Sequence, residues 1–561
     1  MDALTAPPAG WSGRHAVELY VRTYSTMLQS SGEIRLESLQ QAHVGMASVL
    51  HPLGGEAQVD MGALIYSVRR LPAEIATCRR VVLGQSPLAF QELGGYDLSL
   101  WKAVKAPARR RRWYHDGRDT LAVLLASQSD VDDLIPSLVA FQMEWNKLHG
   151  VLRDVELDRE RAREAAEASP DDWERLADAW APDFLAGLKR VRDAECHITL
   201  RNLGASHVGY ARSAAAWFAP VEAQMAEIGA RDAPLYFVSS NIHSLVNVLS
   251  GTARTLESEI VSFAREHDPN LYAEYDRIES GASRASRDNW LYFAARSLFD
   301  QHPQSARFRE ERAQRERAEG IRHIAALGPG VDSSAQIFKL SDLDPTCFDG
   351  RIGKVDPLAL KSSPAVILNL DYPLGYAAYH LLRQVTERTG KVAGVYVLGK
   401  AATLNADVGD VMIPNVVFNE HSGNTYWLDN CFMAASVQPN LGFGSALDNQ
   451  RAVTVRGTFL QNREYLEFYY QGHYTVVEME AGPYLDACFE LAQPERHPVD
   501  EQVNMSRLGF DLGVIHYASD TPYTQARTLG ARGLSYRGMD STYAAAIAVA
   551  RRILEQEGAL L

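Results

Sequence analysis

Two glutamates separated by one methionine stand where a predicted strand meets a predicted helix. The apolar pair Val476–Val477 leads into Glu478–Met479–Glu480, and apolar residues recur at helical spacing directly afterwards. Burying two carboxylates so close together costs free energy unless a ligand or hydrogen-bond donors satisfy them. The pair therefore indicates a ligand site at this junction.

Another carboxylate stands at the end of a second predicted strand. The β-rich run that begins at Leu512 finishes at Ser519 and Asp520, just before Pro522. In open α/β sheets, ligands bind beyond the carboxyl ends of the strands. We therefore expect Asp520 to belong to the same site as the two glutamates.

Both strands lie in a block where strand patterns and helix patterns alternate. From Ile321 onward, apolar runs end at glycine turns, such as Gly328–Pro329–Gly330 and the turn at Gly399, and helical spacing follows. This alternation predicts an α/β domain over residues 318–561, with a mixed central sheet flanked by helices.

The half that precedes this block has mainly helical patterns. We predict a mostly helical region over residues 1–153, and a charged connector with a helical or mixed α/β region over 154–317. Short βα units are possible there. The polar turn Ser239–Ser244 follows one such strand, and it is either a ligand loop or a helix start capped by its own side chains. The basic run Arg109–Arg112 is interpreted as a solvated loop.

The composition excludes several classes of protein. The chain has 561 residues and a formal net charge of −14, which argues against a general nucleic-acid binder. Its five cysteines are widely spaced, which favours reduced thiols in the cytoplasm and gives no metal-binding pattern. No apolar run approaches the length of a membrane span. We expect a cytoplasmic protein without metal, nucleic-acid or membrane partners.

The block from Ile321 to Leu561 resembles the nucleoside phosphorylase and nucleosidase superfamily. This group includes purine nucleoside phosphorylases and methylthioadenosine/S-adenosylhomocysteine nucleosidases. The resemblance implies an α/β phosphorylase-like fold, assembly as a homo-oligomer, and cleavage of the N-glycosidic bond of a purine nucleoside or nucleotide. It rests on four stretches in the family's order: Gly399–Asn405 with Val408–Pro414, Gly457–Phe459, Val477–Ala481 and Ser519–Asp520.

The same resemblance implies roles for individual residues. Glycosidic cleavage builds positive charge on the ribose and negative charge on the departing base. Glu480 would accept hydrogen bonds from the ribose hydroxyls and favour the cationic transition state, with Met479 packed beneath the sugar. Asp520, next to Ser519, would protonate or hydrogen-bond the purine, and Phe459 would stack on it. Glu478 either helps to bind the substrate or forms an ordinary ion pair at the strand end.

The sequence leaves open which group attacks the sugar, water or phosphate. Phosphorolytic members generally have a small hydroxyl residue where this chain has Lys400, between Gly399 and Ala401. Lys400 either meets a phosphate as a point charge or forms a salt bridge that plugs the pocket. Phosphate is thus a possible co-substrate, and no other cofactor is implied.

The first glycine turn is the other part of this attacking side. Gly328 and Gly330 would offer backbone N–H groups to an anion. Asp332 lies near the place where hydrolytic members keep the acid that activates water. Arg532 and Arg537 would approach either Asp520 or the base.

A second function is compatible with the same residues. Lys400 and the large N-terminal half also fit a catalytically inactive protein that binds a nucleoside or nucleotide and regulates another process.

Overall fold

We analysed a computed structural model of the chain, which describes residues 12–30, 32–204, 206–326, 330–524 and 538–561. Gly328, Arg532 and Arg537 lie outside the described residues. The helices are α1 Ser12–Ser30, α2 Glu37–Gly45, α3 Met61–Arg70, α4 Pro87–Ala89, α5 Gln128–Leu152, α6 Arg159–Ala165, α7 Pro170–Ala179, α8 Phe184–Asp193, α9 His207–Glu227, α10 Ser244–Ser250, α11 Thr252–Thr255, α12 Glu257–His267, α13 Pro269–Glu279, α14 Arg287–Gln301, α15 Ser305–Ala318, α16 Pro357–Ser362, α17 Ala377–Arg388, α18 Ala434–Val437, α19 Arg463–Gln471, α20 Ala481–Ala492 and α21 Gly538–Gln556.

The strands form two sheets. They are β1 Ile34–Arg35, β2 Arg80–Gly84, β3 Lys102–Ala106, β4 Arg109–His115, β5 Thr120–Leu124, β6 Thr199–Asn202, β7 Leu235–Ser240, β8 Ile321–Ile324, β9 Ala335–Lys339, β10 Val366–Asp371, β11 Val392–Thr403, β12 Val411–Asn419, β13 Thr425–Trp427, β14 Ala446–Thr454, β15 Val476–Glu478, β16 Gln502–Asn504 and β17 Asp511–Asp520.

The smaller sheet lies in the N-terminal part of the chain. Its strand order is β1-β6-β2-β5-β4-β3, with β2 parallel to β5 and to β6. Strands β3 and β4 form an antiparallel hairpin at one edge. We call Lys102–His115 the arginine hairpin, because its second strand begins with the arginine run. The predicted mostly helical region over residues 1–153 therefore also contributes five strands to a sheet, and β6 comes from the predicted 154–317 region.

The larger sheet is mixed, as the alternating patterns predict. Strands β10, β7, β11 and β17 run parallel and adjacent, so their carboxyl ends meet at one edge. Pairings from β11 through β17, β12, β14 and β15 return to β11 and close a ring. β7 comes from the predicted 154–317 region but lies between β10 and β11. The predicted boundary near residue 318 therefore falls between strands of one sheet.

Helices cover both faces of this sheet because its strands are apolar on both sides. Successive residues of β11 point to opposite faces: Val397 packs in a core with Leu381 of α17 and Tyr484 of α20. Leu398 packs in a second core with Leu298 of α14 and other residues of that face. No helix among the described residues is long and apolar enough to cross a membrane.

Two local predictions are wrong. The turn predicted at Gly399 is instead part of β11, which continues to Thr403 with a register shift after Ala401. Gly399 does not form a turn, because it pairs in register with His516 of β17. The arginine run is not a solvated loop either: it begins β4, and Arg111 is only 5% exposed.

Candidate functional site

The junction between β15 and α20 carries both glutamates, as predicted. Glu478 is the last residue of β15, and Glu480 directly precedes the first residue of α20. The sequence folds this way because the buried valines pair with β14 and β11. The apolar residues after Ala481 then form the buried face of α20.

The Glu478 carboxylate makes its hydrogen bonds within the fold. Its Oε2 accepts hydrogen bonds from the backbone N–H groups of Glu480 at 2.6 Å and Ala481 at 2.7 Å, and its Oε1 accepts one from the hydroxyl of Thr454. Burial raises the pKa of Glu478 to about 7. A carboxylate with three protein donors that satisfies a helix start is a structural group.

Glu480 is left with a different environment. Its Oε1 accepts a hydrogen bond from the backbone N–H of Gly375 at 3.3 Å, and the side chain lines a cavity of about 220 Å³. Burial, and then the neighbouring Glu478, raise the pKa of Glu480 to about 8. Its carboxyl group is therefore the one of the pair available to a ligand.

The cavity brings together three of the predicted site residues. Asp332 and Gly330 line it along with Glu480. The remaining walls come from the arginine hairpin, the chain before and at the start of α5, the loop before β9 and the loop after β10. They include Ala106, Pro107, Ala108, Arg109, Arg110, Arg111, Ala126, Asp130, Val331, Ser333, Tyr372, Pro373, Leu374 and Ala377.

The hairpin arginines are fixed by carboxylates of α5. Arg111 donates to Asp130 at 2.7 Å and to Asp133 at 2.6 Å, and Arg109 donates to Asp133 at 2.7 Å. Burial alone would raise the pKa of Asp133, but the arginines lower it to about 2. This buried ion-pair cluster holds the hairpin against α5 beside Glu480.

Arg110 connects the hairpin with the larger sheet. It pairs with Asp371 at the end of β10, and it donates to the carbonyl oxygen of Tyr372 at 2.5 Å. Burial raises the pKa of Asp371, with a further contribution from Asp332. The cavity wall is thus shared between the N-terminal and C-terminal parts of the chain.

The first turn of α5 closes on the same loop. The backbone N–H of Tyr376 donates to Ser129 Oγ at 2.8 Å. A β-carbon at Gly375 would lie 2.3 Å from that oxygen, and the residue has φ +53°. Glycine is therefore required here, both for the backbone conformation and for the close approach of α5.

Other predicted site residues lie elsewhere. Phe459 is 1% exposed, and its ring contacts Tyr66, His43 and His51 at centroid distances of 5.2, 5.9 and 6.4 Å. The Phe459 ring therefore packs among other rings, and it does not line the Glu480 cavity. Met479 packs, partly buried, against an apolar core to which both the N-terminal and the C-terminal parts of the chain contribute.

Asp520 and Ser519 lie at the end of β17. Asp520 is 1% exposed, and its Oδ1 accepts a hydrogen bond from the N–H of Thr521 at 2.8 Å. The Ser519 hydroxyl donates to the carbonyl of Ala401 at 3.3 Å. These residues adjoin Gly399, Lys400 and Ala401 on the neighbouring strand, and they do not line the described cavity.

Lys400 is half-buried on β11. Burial lowers the pKa of Lys400, and nearby Arg296 lowers it further. No ion pair among the described residues includes Lys400. The predicted plugging salt bridge is therefore absent from the described part of the chain.

The Ser239–Ser244 turn caps itself. Asn241 Oδ1 accepts hydrogen bonds from the backbone N–H groups of His243 at 3.0 Å and Ser244 at 2.7 Å. Of the two predicted alternatives, this geometry matches the capped helix start.

Sequence reasoning missed the contribution of the arginine hairpin. The signal was the pairing of a basic run at Arg109–Arg112 with an acidic run at Asp130–Asp133. Within the described residues, no group of histidine, cysteine and acidic side chains could hold a metal ion.

Comparison with solved structures gives nucleosidases and phosphorylases at low similarity. A methylthioadenosine/S-adenosylhomocysteine nucleosidase from Colwellia psychrerythraea 34H, in complex with adenine, is 12% identical; 43% of this chain and 88% of that chain are covered, at a TM-score of 0.27. The corresponding nucleosidase from Neisseria meningitidis is 14% identical, with 42% and 92% covered and a TM-score of 0.26. Uridine phosphorylase from Schistosoma mansoni is 12% identical, with 58% and 86% covered and a TM-score of 0.26.

Sequence comparison identifies a family. No curated protein matches the chain in sequence. A family model, described as a family of unknown function (DUF6909), matches residues 36–555. Because this match extends over most of the sequence, the chain belongs to the family of unknown function DUF6909.

Proposed function

We propose that the protein cleaves the N-glycosidic bond of a purine nucleoside or nucleotide, by hydrolysis or phosphorolysis. Glu480 holds the ribose hydroxyls, and Asp520 protonates or hydrogen-bonds the purine. The proposal rests on the sequence motifs around these two residues and on one geometric observation. The Glu478 carboxylate accepts hydrogen bonds from protein donors, whereas Glu480 presents its carboxyl group to a cavity.

The chemistry assigned to Glu480 follows from this position. A carboxylate accepts hydrogen bonds from two adjacent hydroxyls, and these bonds strengthen as the ribose becomes cationic. Asp332, in the same cavity, is the candidate general base for an attacking water. Lys400 is the candidate partner of a phosphate, because none of the ion pairs in the described residues uses it.

The direct test is release of free base. Purified full-length protein is incubated with purine nucleosides and nucleoside monophosphates, with and without phosphate, and the products are separated by chromatography. We expect release of the base, and Glu480→Gln should reduce the rate by about 100-fold or more, as for loss of one transition-state contact. Glu495→Gln, at an exposed position, is the matched control.

Two results would contradict the proposal. One is the absence of product across the whole panel with folded protein, and the other is full activity in the Asp520→Asn variant. Comparing reactions with and without phosphate separates phosphorolysis from hydrolysis.

A second candidate function is a binding protein without turnover. The observation that favours it is the position of Phe459, whose ring packs on Tyr66, His43 and His51 and not on the cavity. Without a stacking ring, the base would be oriented less precisely for cleavage. Calorimetry showing nucleoside binding without base release would support this function, whereas turnover would exclude it.

A further inference from the structure

A second cavity lies in the N-terminal part of the chain, and Pro107 of the hairpin lines both this cavity and the one that contains Glu480. Its volume is about 350 Å³, and its walls come from α3 and the segment 71–76, from α5, from α8 and the connection that precedes it, and from the turn end of the arginine hairpin. Leu71, Phe141 and Trp145 in these walls are 1–2% exposed. This cavity has no role in the proposed glycosidic cleavage.

Three aromatic rings make one continuous apolar surface in this cavity. The centroid of Trp145 lies 5.4 Å from that of Phe141 and 6.2 Å from that of Trp180. The indole N–H of Trp145 is already used by the carbonyl oxygen of Ala194 at 3.0 Å. The rings therefore present carbon surface to an occupant, which favours an apolar ligand body.

The rim of the cavity is positively charged. Lys105 on the hairpin and Arg190 on α8 both line it and are exposed. Neither takes part in an ion pair with another described residue. The acidic residue of the lining, Asp183, is committed to the start of α8, where its Oδ1 accepts the N–H of Ala186 at 3.0 Å. A ligand with an anionic end would thus meet two available cations.

We propose that this cavity binds a small amphipathic carboxylate, with its apolar chain or ring against Phe141, Trp145 and Trp180 and its carboxylate at Lys105 and Arg190. The volume is the share of about twelve water molecules in the liquid. It therefore accommodates a ligand of about ten non-hydrogen atoms. A ligand of that size reaches a dissociation constant of about 1 mM or tighter at ordinary binding energy per atom.

The test uses full-length protein and two probes of equal chain length and opposite charge, octanoate and octylamine. Binding is followed by saturation-transfer NMR and by tryptophan fluorescence. We expect saturable binding of octanoate and at least fivefold weaker binding of octylamine. Equal affinity for the two probes, or no saturable binding of octanoate, would overturn the proposal.

Variants locate the site. Lys105→Gln combined with Arg190→Gln should weaken octanoate binding by about fivefold, the effect of two exposed charge contacts. Lys189→Gln removes a neighbouring charge on α8 that does not line this cavity and should leave binding unchanged. Ala186→Leu should abolish binding by filling the cavity, with circular dichroism to verify the fold.

Each variant carries its own contrary outcome. Unchanged binding in the double charge variant, or binding retained in folded Ala186→Leu, would place octanoate elsewhere and overturn the assignment. If Ala186→Leu does not fold, the charge variants and the probe comparison decide the question by themselves.

Discussion

Glu480 combines a raised pKa of about 8 with a position at the cavity wall. At neutral pH a large fraction of its carboxyl groups is therefore protonated in the free protein. A protonated carboxyl group loses acceptor capacity and gains a donor, so the ribose-binding role requires the ionised form. The pKa of this one residue should then be visible in the pH dependence of catalysis.

We predict that kcat/KM for base release rises with pH as Glu480 ionises, with a midpoint near pH 8. The direction follows because ionisation creates the active form. Rates measured from pH 6 to 9.5 on a single nucleoside check this, with Glu495→Gln as a control that should keep the wild-type profile. A profile that is flat or falling between pH 7 and 9 would contradict the role of Glu480.

At the scale of elements, the arginine hairpin and α5 form one unit beside the site. Strand β4 of the hairpin places Arg109 and Arg111 against Asp133, which is 2% exposed. Removing one partner from a buried ion pair leaves an uncompensated charge, which is more costly than removing an exposed pair. The stability of the hairpin should therefore depend on Asp133 far more than on the exposed Arg110.

We expect Asp133→Asn to lower the free energy of unfolding by about 3–5 kcal/mol at pH 7, because the buried Arg111 and the partly buried Arg109 lose the carboxylate that they share. Arg110→Gln, which breaks a partly exposed pair on the same hairpin, should cost less than about 1 kcal/mol. Urea unfolding monitored by circular dichroism measures both. Equal losses in the two variants would show that the α5 cluster does not hold the hairpin.

How well these elements can be predicted depends on how far apart in sequence the interacting residues are. The β15–α20 junction could be predicted because its valines, its glutamates and the helical spacing that follows are neighbours in sequence. The pairing of Arg111 with Asp133 could not be derived from helix or strand periodicity, since it depends on how a hairpin packs on a separate helix. The turn prediction at Gly399 is wrong for a related reason. A glycine inside a strand resembles a turn residue until its partner strand is known.

At the scale of the whole molecule, histidines are buried in several parts of the C-terminal half. Burial lowers the pKa of His380, His421 and His516 to about 4 in each case. Each of these rings is neutral in the folded protein at mildly acidic pH, whereas the unfolded chain takes up a proton at the ordinary pKa of 6.5. Acid therefore favours the unfolded state through these residues.

His516 gives the sharpest test, because it is 2% exposed and central in β17. Wild-type stability due to this residue is fully present above pH 6.5 and is lost as pH falls toward 4. The His516→Gln variant lacks this loss. As the pH falls over that interval, the free energy of unfolding of the variant should therefore rise relative to that of wild type by up to about 1.4 kcal/mol per pH unit. Urea unfolding between pH 7.5 and 4.5 measures the difference, with exposed His15→Gln as control, and parallel curves would contradict the prediction.

The position of β7 between β10 and β11 also has a consequence for synthesis on the ribosome. β7 ends at Ser240, but its partner β10 begins at Val366 and β11 at Val392. Until those residues emerge, a strand buried at every position has neither of its hydrogen-bonded neighbours. Such distant pairing slows folding and exposes unpaired edges in the meantime. The nascent chain should thus depend on chaperones through the middle of its translation, and release of a fragment ending before Val366 should yield an aggregating product.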